Sequence, residues 1–150
     1  ARQGAAHGHT LALAARQLAR LAVEQVIELQ DPGGAADPHD GWNVVLHEFA
    51  HQLDSQTGLT NGAPDLGSAE QYARWSEVMQ AAYDALCEAT DALADGGPEP
   101  FLDPYGATSP AEFFAVISEA FYETPVGLQR AHPALYDALR DFYRVDPAGW

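Results

Sequence analysis

Lysine is absent from this 150-residue chain, and its seven arginines are outnumbered by 22 acidic residues, which gives a formal net charge of −15. Nucleic acids and anionic membrane surfaces are bound through clusters of Lys and Arg. We therefore predict that neither is a direct partner. No apolar run approaches the roughly 20 residues that a membrane-spanning helix needs. The alanine-rich start also lacks the basic and apolar regions of a signal peptide.

Cysteine occurs once, at Cys87, so the chain cannot form an intrachain disulfide or build a metal site from several thiolates. A reducing cytoplasm is therefore the compartment that we expect. Cys87 lies among apolar residues at helical spacing, and we interpret it as an inert buried thiol. Hydrophobic residues make up 47% of the sequence, and a chain of this length is sufficient for one domain with its own core.

The most informative pattern is a His-Glu-x-x-His run, with His47, Glu48 and His51, that follows three apolar residues at 44–46. On an α-helix, positions i and i+4 project from one face about one turn apart, so both histidines can reach the same ion. Glu48 is rotated by about 100° from His47, which places its carboxylate beside the ion rather than on it. Zinc hydrolases use this arrangement: neutral imidazoles hold Zn²⁺, an open position holds water, and a carboxylate takes the proton.

A less favoured interpretation of this run is an amphipathic helix that carries two surface histidines. The apolar residues at its start and the acidic residues downstream favour the metal site. We predict that the helix begins with Asn43 as its N-cap, runs to about Gln56 and stops at Gly58. Asp54 is interpreted as a residue that orients a metal ligand or, equally, as a helix C-cap or solvent-exposed side chain.

A third metal ligand is predicted in a later helix, which Ser109 opens as N-cap and Pro110 as first residue. This helix is apolar on all sides, so we expect it to be buried. A carboxylate inside such a helix needs a partner, and a cation is an effective one. Glu112 and Glu119 are both candidates for the ligand, with pairing to an arginine as the alternative for each. Glu119 could also orient a metal ligand without binding the ion itself.

Elsewhere the sequence predicts mostly helices. A long helix is expected from a Ser68 cap to about Leu93, with an apolar stripe that we expect to face the core: Tyr72, Trp75, Val78, Met79, Ala82, Leu86 and Leu93. One or two short helices are expected after Pro125, and the second should pack through Leu135, Leu139 and Phe142. Upstream, we expect a helix from Thr10 and a short strand over residues 23–30. These elements indicate an α+β fold that is mostly helical, with a small or incomplete N-terminal sheet.

Two segments resemble the Mlc titration factor A family of zinc-dependent peptidases. Residues 40–54, with the sequence DGWNVVLHEFAHQLD, resemble the active-site segment of that family. Residues 110–119, which read PAEFFAVISE, resemble its second motif. Residues 105–114 are also similar to the catalytic domain of anthrax lethal factor, a related gluzincin. The resemblance covers roughly residues 37–150, and the two motifs occur in the expected order.

The resemblance implies that His47, His51 and Glu112 bind Zn²⁺ and that the chain hydrolyses peptide or protein substrates. It also implies that Glu48 is the general base and that Tyr105 donates a hydrogen bond to the oxyanion. Because a glycine follows the tyrosine, we expect the phenol to lie on a mobile loop.

We expect one zincin-like metallopeptidase domain over residues 1–150, truncated or atypical in residues 1–36. The rival interpretation is a regulatory protein that sequesters a transcriptional repressor and has a structural or residual zinc site. The resemblance implies this as well, since the namesake of the family is described by its binding to the glucose-responsive repressor Mlc. The metal site distinguishes the two: a catalytic zinc keeps one position open, whereas a structural zinc has four protein ligands.

Overall fold

The computed structural model describes residues 41–56 and 58–150, with side chains for residues 46–56 and 58–150. This part of the chain contains five α-helices and two 3₁₀ turns: α1 (Gly41–Ser55), α2 (Ala69–Ala94), the turn Pro104–Ala107, α3 (Pro110–Glu123), α4 (Pro125–Ala131), α5 (Pro133–Tyr143) and the turn Pro147–Gly149. None of these residues is in a strand, which confirms a mostly helical fold for this part. The helix predicted from Thr10 and the strand predicted over residues 23–30 lie outside the described residues.

Helix α1 carries the His-Glu-x-x-His run. It begins two residues before Asn43, so the prediction of Asn43 as its N-cap is wrong. The reason is that a single capping residue locates a helix start only to within one or two residues. The other end agrees with the prediction, because α1 ends at Ser55 and Gly58 adopts a positive φ of 82°. Helix α1 lies against α3, and its buried residues Ala50 and Leu53 join the hydrophobic core.

Helix α2 follows the predicted boundaries closely. The hydroxyl of Ser68 accepts the backbone N–H of Gln71 at 3.2 Å, which confirms the predicted cap. Its buried residues Trp75, Met79 and Leu86 recur at helical spacing, so one stripe of the helix faces the core. Three of the seven residues predicted for this stripe are thus buried, and the other four are partly buried.

Helix α3 contacts α1, α4, α5 and the Pro104–Ala107 turn. Its N-terminus is capped as predicted, because the Ser109 hydroxyl accepts the backbone N–H of Glu112 at 3.2 Å and Pro110 follows the cap. Seven of its 14 residues are buried: Phe113, Phe114, Ala115, Val116, Ile117, Ser118 and Phe121. Complete burial of one large apolar side chain contributes about 1.5–3 kcal/mol, so this helix organises the core of the described part.

The loop after α1 is fixed by the buried carboxylate of Asp54. Its oxygens accept the backbone N–H groups of residues 61, 62 and 63 at 3.3, 2.8 and 3.1 Å. Gly62 has a φ of +77°, and a Cβ there would collide with the backbone carbonyl of Pro110. The indole N–H of Trp75 donates to the carbonyl of Gly62 at 3.1 Å. The loop therefore connects the end of α1 with α2 and with the first residue of α3.

Two short helices close the chain, as predicted from its prolines. Pro125 and Pro133 each occupy the first turn of a helix, where the missing N–H costs nothing. Leu135, Leu139 and Phe142 of α5 are buried and form the predicted packing stripe. Among residues 41–56 and 58–150, no helix has both the length and the apolarity needed to cross a bilayer.

Candidate metal centre

The contact between α1 and α3 brings three of the predicted site residues together. The Nε2 atoms of His47 and His51 are 3.1 Å apart. Oε2 of Glu112 lies 2.8 Å from Nε2 of His47 and 3.4 Å from Nε2 of His51. Within the described part of the chain, these three residues form the one group of His, Cys, Asp or Glu donor atoms close enough to share a metal ion.

The three distances fit one face of a tetrahedral zinc site. Ligand distances of about 2.0–2.2 Å place neighbouring donor atoms about 3.3–3.6 Å apart, so the observed 2.8–3.4 Å needs only small side-chain adjustments. No fourth donor residue joins the group in residues 46–56 and 58–150. The side chains are 18–21% exposed, so solvent can reach the group. The arrangement is that of a three-ligand site with one accessible side.

One oxygen of Glu112 has no hydrogen-bond donor. Its Oε2 is buried, and the 2.8 Å contact with Nε2 of His47 does not have hydrogen-bond geometry. Nδ1 of His47 lies 2.6 Å from Oε1 of Glu119, and a neutral imidazole that donates its proton there presents an unprotonated Nε2 to the Glu112 oxygen. Two such acceptors repel each other unless a cation lies between them. Two imidazoles and one carboxylate are a donor set that binds Zn²⁺ in hydrolases, so the residues present fit a zinc ion.

Glu119, the alternative third ligand, contacts the opposite edge of the same imidazole. Its Oε1 lies 2.6 Å from Nδ1 of His47 and is therefore not part of the group around Nε2. The carboxylate is partly buried, and this burial raises the pKa of Glu119 above its ordinary value. The contact with His47 offsets only part of that rise. A carboxylate at Nδ1 sets the tautomer and the orientation of a ligating histidine. The geometry thus separates the two glutamates: Glu112 contacts Nε2 of His47, and Glu119 contacts Nδ1 of the same ring.

The two predicted catalytic side chains are both exposed. Glu48 follows His47 in α1 and faces solvent. Tyr105 is 53% exposed, and the centroid of its ring lies 6.1 Å from that of His47. Its backbone is in a 3₁₀ turn, whereas the sequence suggested a mobile loop. The structure therefore brings Tyr105 next to a predicted metal ligand from a segment nearly 60 residues away.

Asp54 has a role that sequence reasoning missed. It is completely buried and binds the backbone of residues 61–63, so its interpretations as a solvent-exposed side chain and as a helix C-cap are wrong. A carboxylate can be buried there because three N–H groups surround it. The signal in the sequence was the Asn61-Gly62 pair, which predicts a tight turn whose N–H groups need an acceptor.

Comparison with known families identifies the class of protein. The sequence model of the glucose-regulated metallo-peptidase M90 family matches residues 13–144, and the chain belongs to this family. The match begins upstream of residue 37, where the motif resemblance began. The family predicted from the two motifs is therefore confirmed.

Individual relatives bear two kinds of name. An uncharacterised protein of Synechocystis sp. is 45% identical over 108 residues, which cover 72% of this chain and 38% of that protein. Mlc titration factor A of Edwardsiella ictaluri is 40% identical over 108 residues, 71% of this chain and 40% of that protein. Mlc titration factor A of Escherichia fergusonii is 33% identical over 121 residues, 81% of this chain and 43% of that protein. The chain spans about two fifths of the length of these relatives.

Proposed function

We propose that this chain is the catalytic domain of a zinc-dependent peptidase of the gluzincin type. His47, His51 and Glu112 would hold one Zn²⁺. The observation that carries the proposal is the convergence of these three donor atoms, with the buried Oε2 of Glu112 lacking a hydrogen-bond donor. Membership of a metallo-peptidase family supports it independently. We extend the proposal to the fold, as one zincin-like α+β domain over residues 1–150 with a small or incomplete N-terminal sheet.

Each residue near the site has a role in this proposal. When bound, the zinc ion would polarise the substrate carbonyl and lower the pKa of water. Glu48 accepts a proton as the water oxygen adds to the carbonyl carbon, and it delivers that proton to the leaving amine as the C–N bond breaks. The hydroxyl of Tyr105 donates a hydrogen bond to the oxyanion that forms. Glu119 holds His47 in the tautomer that presents Nε2.

A second candidate function is the capture of a transcriptional repressor. It is supported by the name Mlc titration factor A, which several relatives carry. A protein that acts only by binding would not need Glu48 or an open metal position. The described residues contribute three donors and not four, which favours the catalytic proposal over a closed structural site.

The test compares the zinc content and peptide turnover of wild type, Glu48→Gln and Glu77→Gln. Glu77 is an exposed carboxylate on α2, so its variant controls for the loss of one surface charge. We expect equal zinc content in all three proteins. Turnover of a peptide library should fall about 10²–10⁴-fold in Glu48→Gln and remain at the wild-type level in Glu77→Gln. Wild-type turnover by Glu48→Gln would refute the mechanism, and an inert wild type with full zinc would favour repressor capture.

A further inference from the structure

The 3₁₀ turn Pro104–Ala107, here called the tyrosine turn, is held by hydrogen bonds at both ends. The carboxylate of Asp103 accepts the backbone N–H of Tyr105 at 2.9 Å. The N–H of Gly106 donates to the carbonyl of Asp103 at 3.0 Å, and the N–H of Thr108 donates to the carbonyl of Tyr105 at 3.1 Å. The backbone that carries Tyr105 is thus hydrogen-bonded on either side of it.

Packing leaves the tyrosine turn no room to shift inward. Gly106 is buried, and a Cβ there would lie 3.1 Å from Cδ2 of Leu86 and 3.3 Å from Cβ of Val116. These two neighbours belong to α2 and α3. The glycine therefore permits close approach to both helices, and its presence is not a sign of a loose loop.

A side chain of α2 reaches the last residue of this turn. The hydroxyl of Tyr83 donates to the carbonyl of Ala107 at 3.2 Å, and Sγ of Cys87 lies 4.0 Å from the same oxygen. The ring of Tyr83 packs edge to face against Phe113, with centroids 5.5 Å apart. Burial raises the pKa of Tyr83, so its phenol stays protonated and remains a donor. Tyr83 thus connects the tyrosine turn with the residue that follows Glu112.

We propose that Tyr83 is a positioning residue that holds the Tyr105 hydroxyl beside the metal centre through its hydrogen bond to Ala107. This inference rests on the proposed function, in which Tyr105 donates to the oxyanion. A donor helps most when it is already fixed at the position where charge develops. A displacement of the turn would reach Tyr105 directly, because only one residue separates it from Ala107.

The test is a double-mutant cycle with Tyr83→Phe and Tyr105→Phe. Tyr83→Phe keeps the ring and removes one hydroxyl–carbonyl hydrogen bond, so kcat should fall on the order of 2- to 10-fold while KM and zinc content stay unchanged. In the Tyr105→Phe background the same change should have no further effect on kcat. The control is Tyr72→Phe, which removes the hydroxyl that Leu66 N–H contacts at 3.3 Å near the other end of α2. It should leave kcat unchanged.

A second readout does not depend on activity. The amides of Gly106 and Thr108 should exchange with deuterium several-fold faster in Tyr83→Phe than in wild type or Tyr72→Phe. Unchanged kcat and unchanged exchange in Tyr83→Phe would overturn the inference, as would an equal loss of kcat with and without the Tyr105 hydroxyl. If wild type cleaves no peptide, the proposed function fails. Faster exchange would then still support the anchoring by Tyr83, and unchanged exchange would refute it.

Discussion

Removal of the Glu119 carboxylate should weaken zinc binding although Glu119 is not a ligand in the proposed site. Its Oε1 lies 2.6 Å from Nδ1 of His47, and the side chain of Glu119 is only 19% exposed. Without it, His47 can rotate or move its proton to Nε2, the atom that faces Glu112. Loss of such an outer partner typically costs about 10- to 100-fold in metal affinity. That range corresponds to about 1.4–2.7 kcal/mol.

Two substitutions separate the contributions of charge and of the hydrogen bond. Glu119→Ala removes both, so its zinc affinity should fall by the full range. Glu119→Gln keeps an oxygen that can accept the proton on Nδ1 but loses the charge, so its affinity should lie between those of wild type and Glu119→Ala. Glu77→Ala, at an exposed position on α2, should bind zinc as wild type does.

The assay is competition for zinc with a chromophoric chelator at constant pH and ionic strength, with circular dichroism of the metal-free proteins to establish that they fold. Zinc binding by folded Glu119→Ala as tight as that of wild type would refute the role of Glu119. Complete loss of zinc from folded Glu119→Ala would also contradict the account, because it would exceed the effect of about 10- to 100-fold expected from a residue that only orients a ligand.

Three further predictions concern stability. Asp54→Asn should lower the free energy of unfolding by about 1–3 kcal/mol in urea denaturation, because one amide oxygen cannot accept three N–H groups; an unchanged midpoint would contradict it. Gly62→Ala should lower the free energy of unfolding by about 1–3 kcal/mol, because φ is positive there and the new Cβ would meet the carbonyl of Pro110. The control Gly58→Ala also has a positive φ but meets no neighbouring atom, so it should lower the free energy of unfolding by less. Burial lowers the pKa of His132 below 6.5, so the unfolded chain binds more protons there and stability falls on acidification through that pH. His132→Gln should therefore lose less stability than wild type between about pH 7 and pH 5, and parallel curves would count against this.

Local patterns in the sequence predicted much of the described fold. The caps at Ser68 and Ser109, the apolar stripe of α2 and the proline-led helices depend on neighbouring residues, and the structure has them where they were expected. The start of α1 was misplaced because the preference of Asn for an N-cap is weak evidence on its own. Nothing in the described residues bears on the predicted upstream strand.

Contacts within the candidate site were predictable where they follow from helical spacing, as for His47 and His51, whose Nε2 atoms lie 3.1 Å apart. The contacts of Glu112 and Glu119 with His47 were not, because they depend on which edge of an imidazole each carboxylate meets, from 65 and 72 residues away in the sequence. The same holds for the anchoring of Tyr105, which requires contacts from both α2 and α3. Long-range packing of this kind leaves no periodic signal in the sequence.

The most direct test of the account is anomalous scattering at the zinc edge from crystals of the protein prepared with zinc. We predict one peak per chain, about 2.0–2.2 Å from Nε2 of His47, Nε2 of His51 and a carboxylate oxygen of Glu112, with a non-protein ligand on the open side. A peak with four protein ligands would identify a structural site and support the regulatory alternative. A peak away from these residues, or none at full zinc saturation, would contradict the metal centre itself.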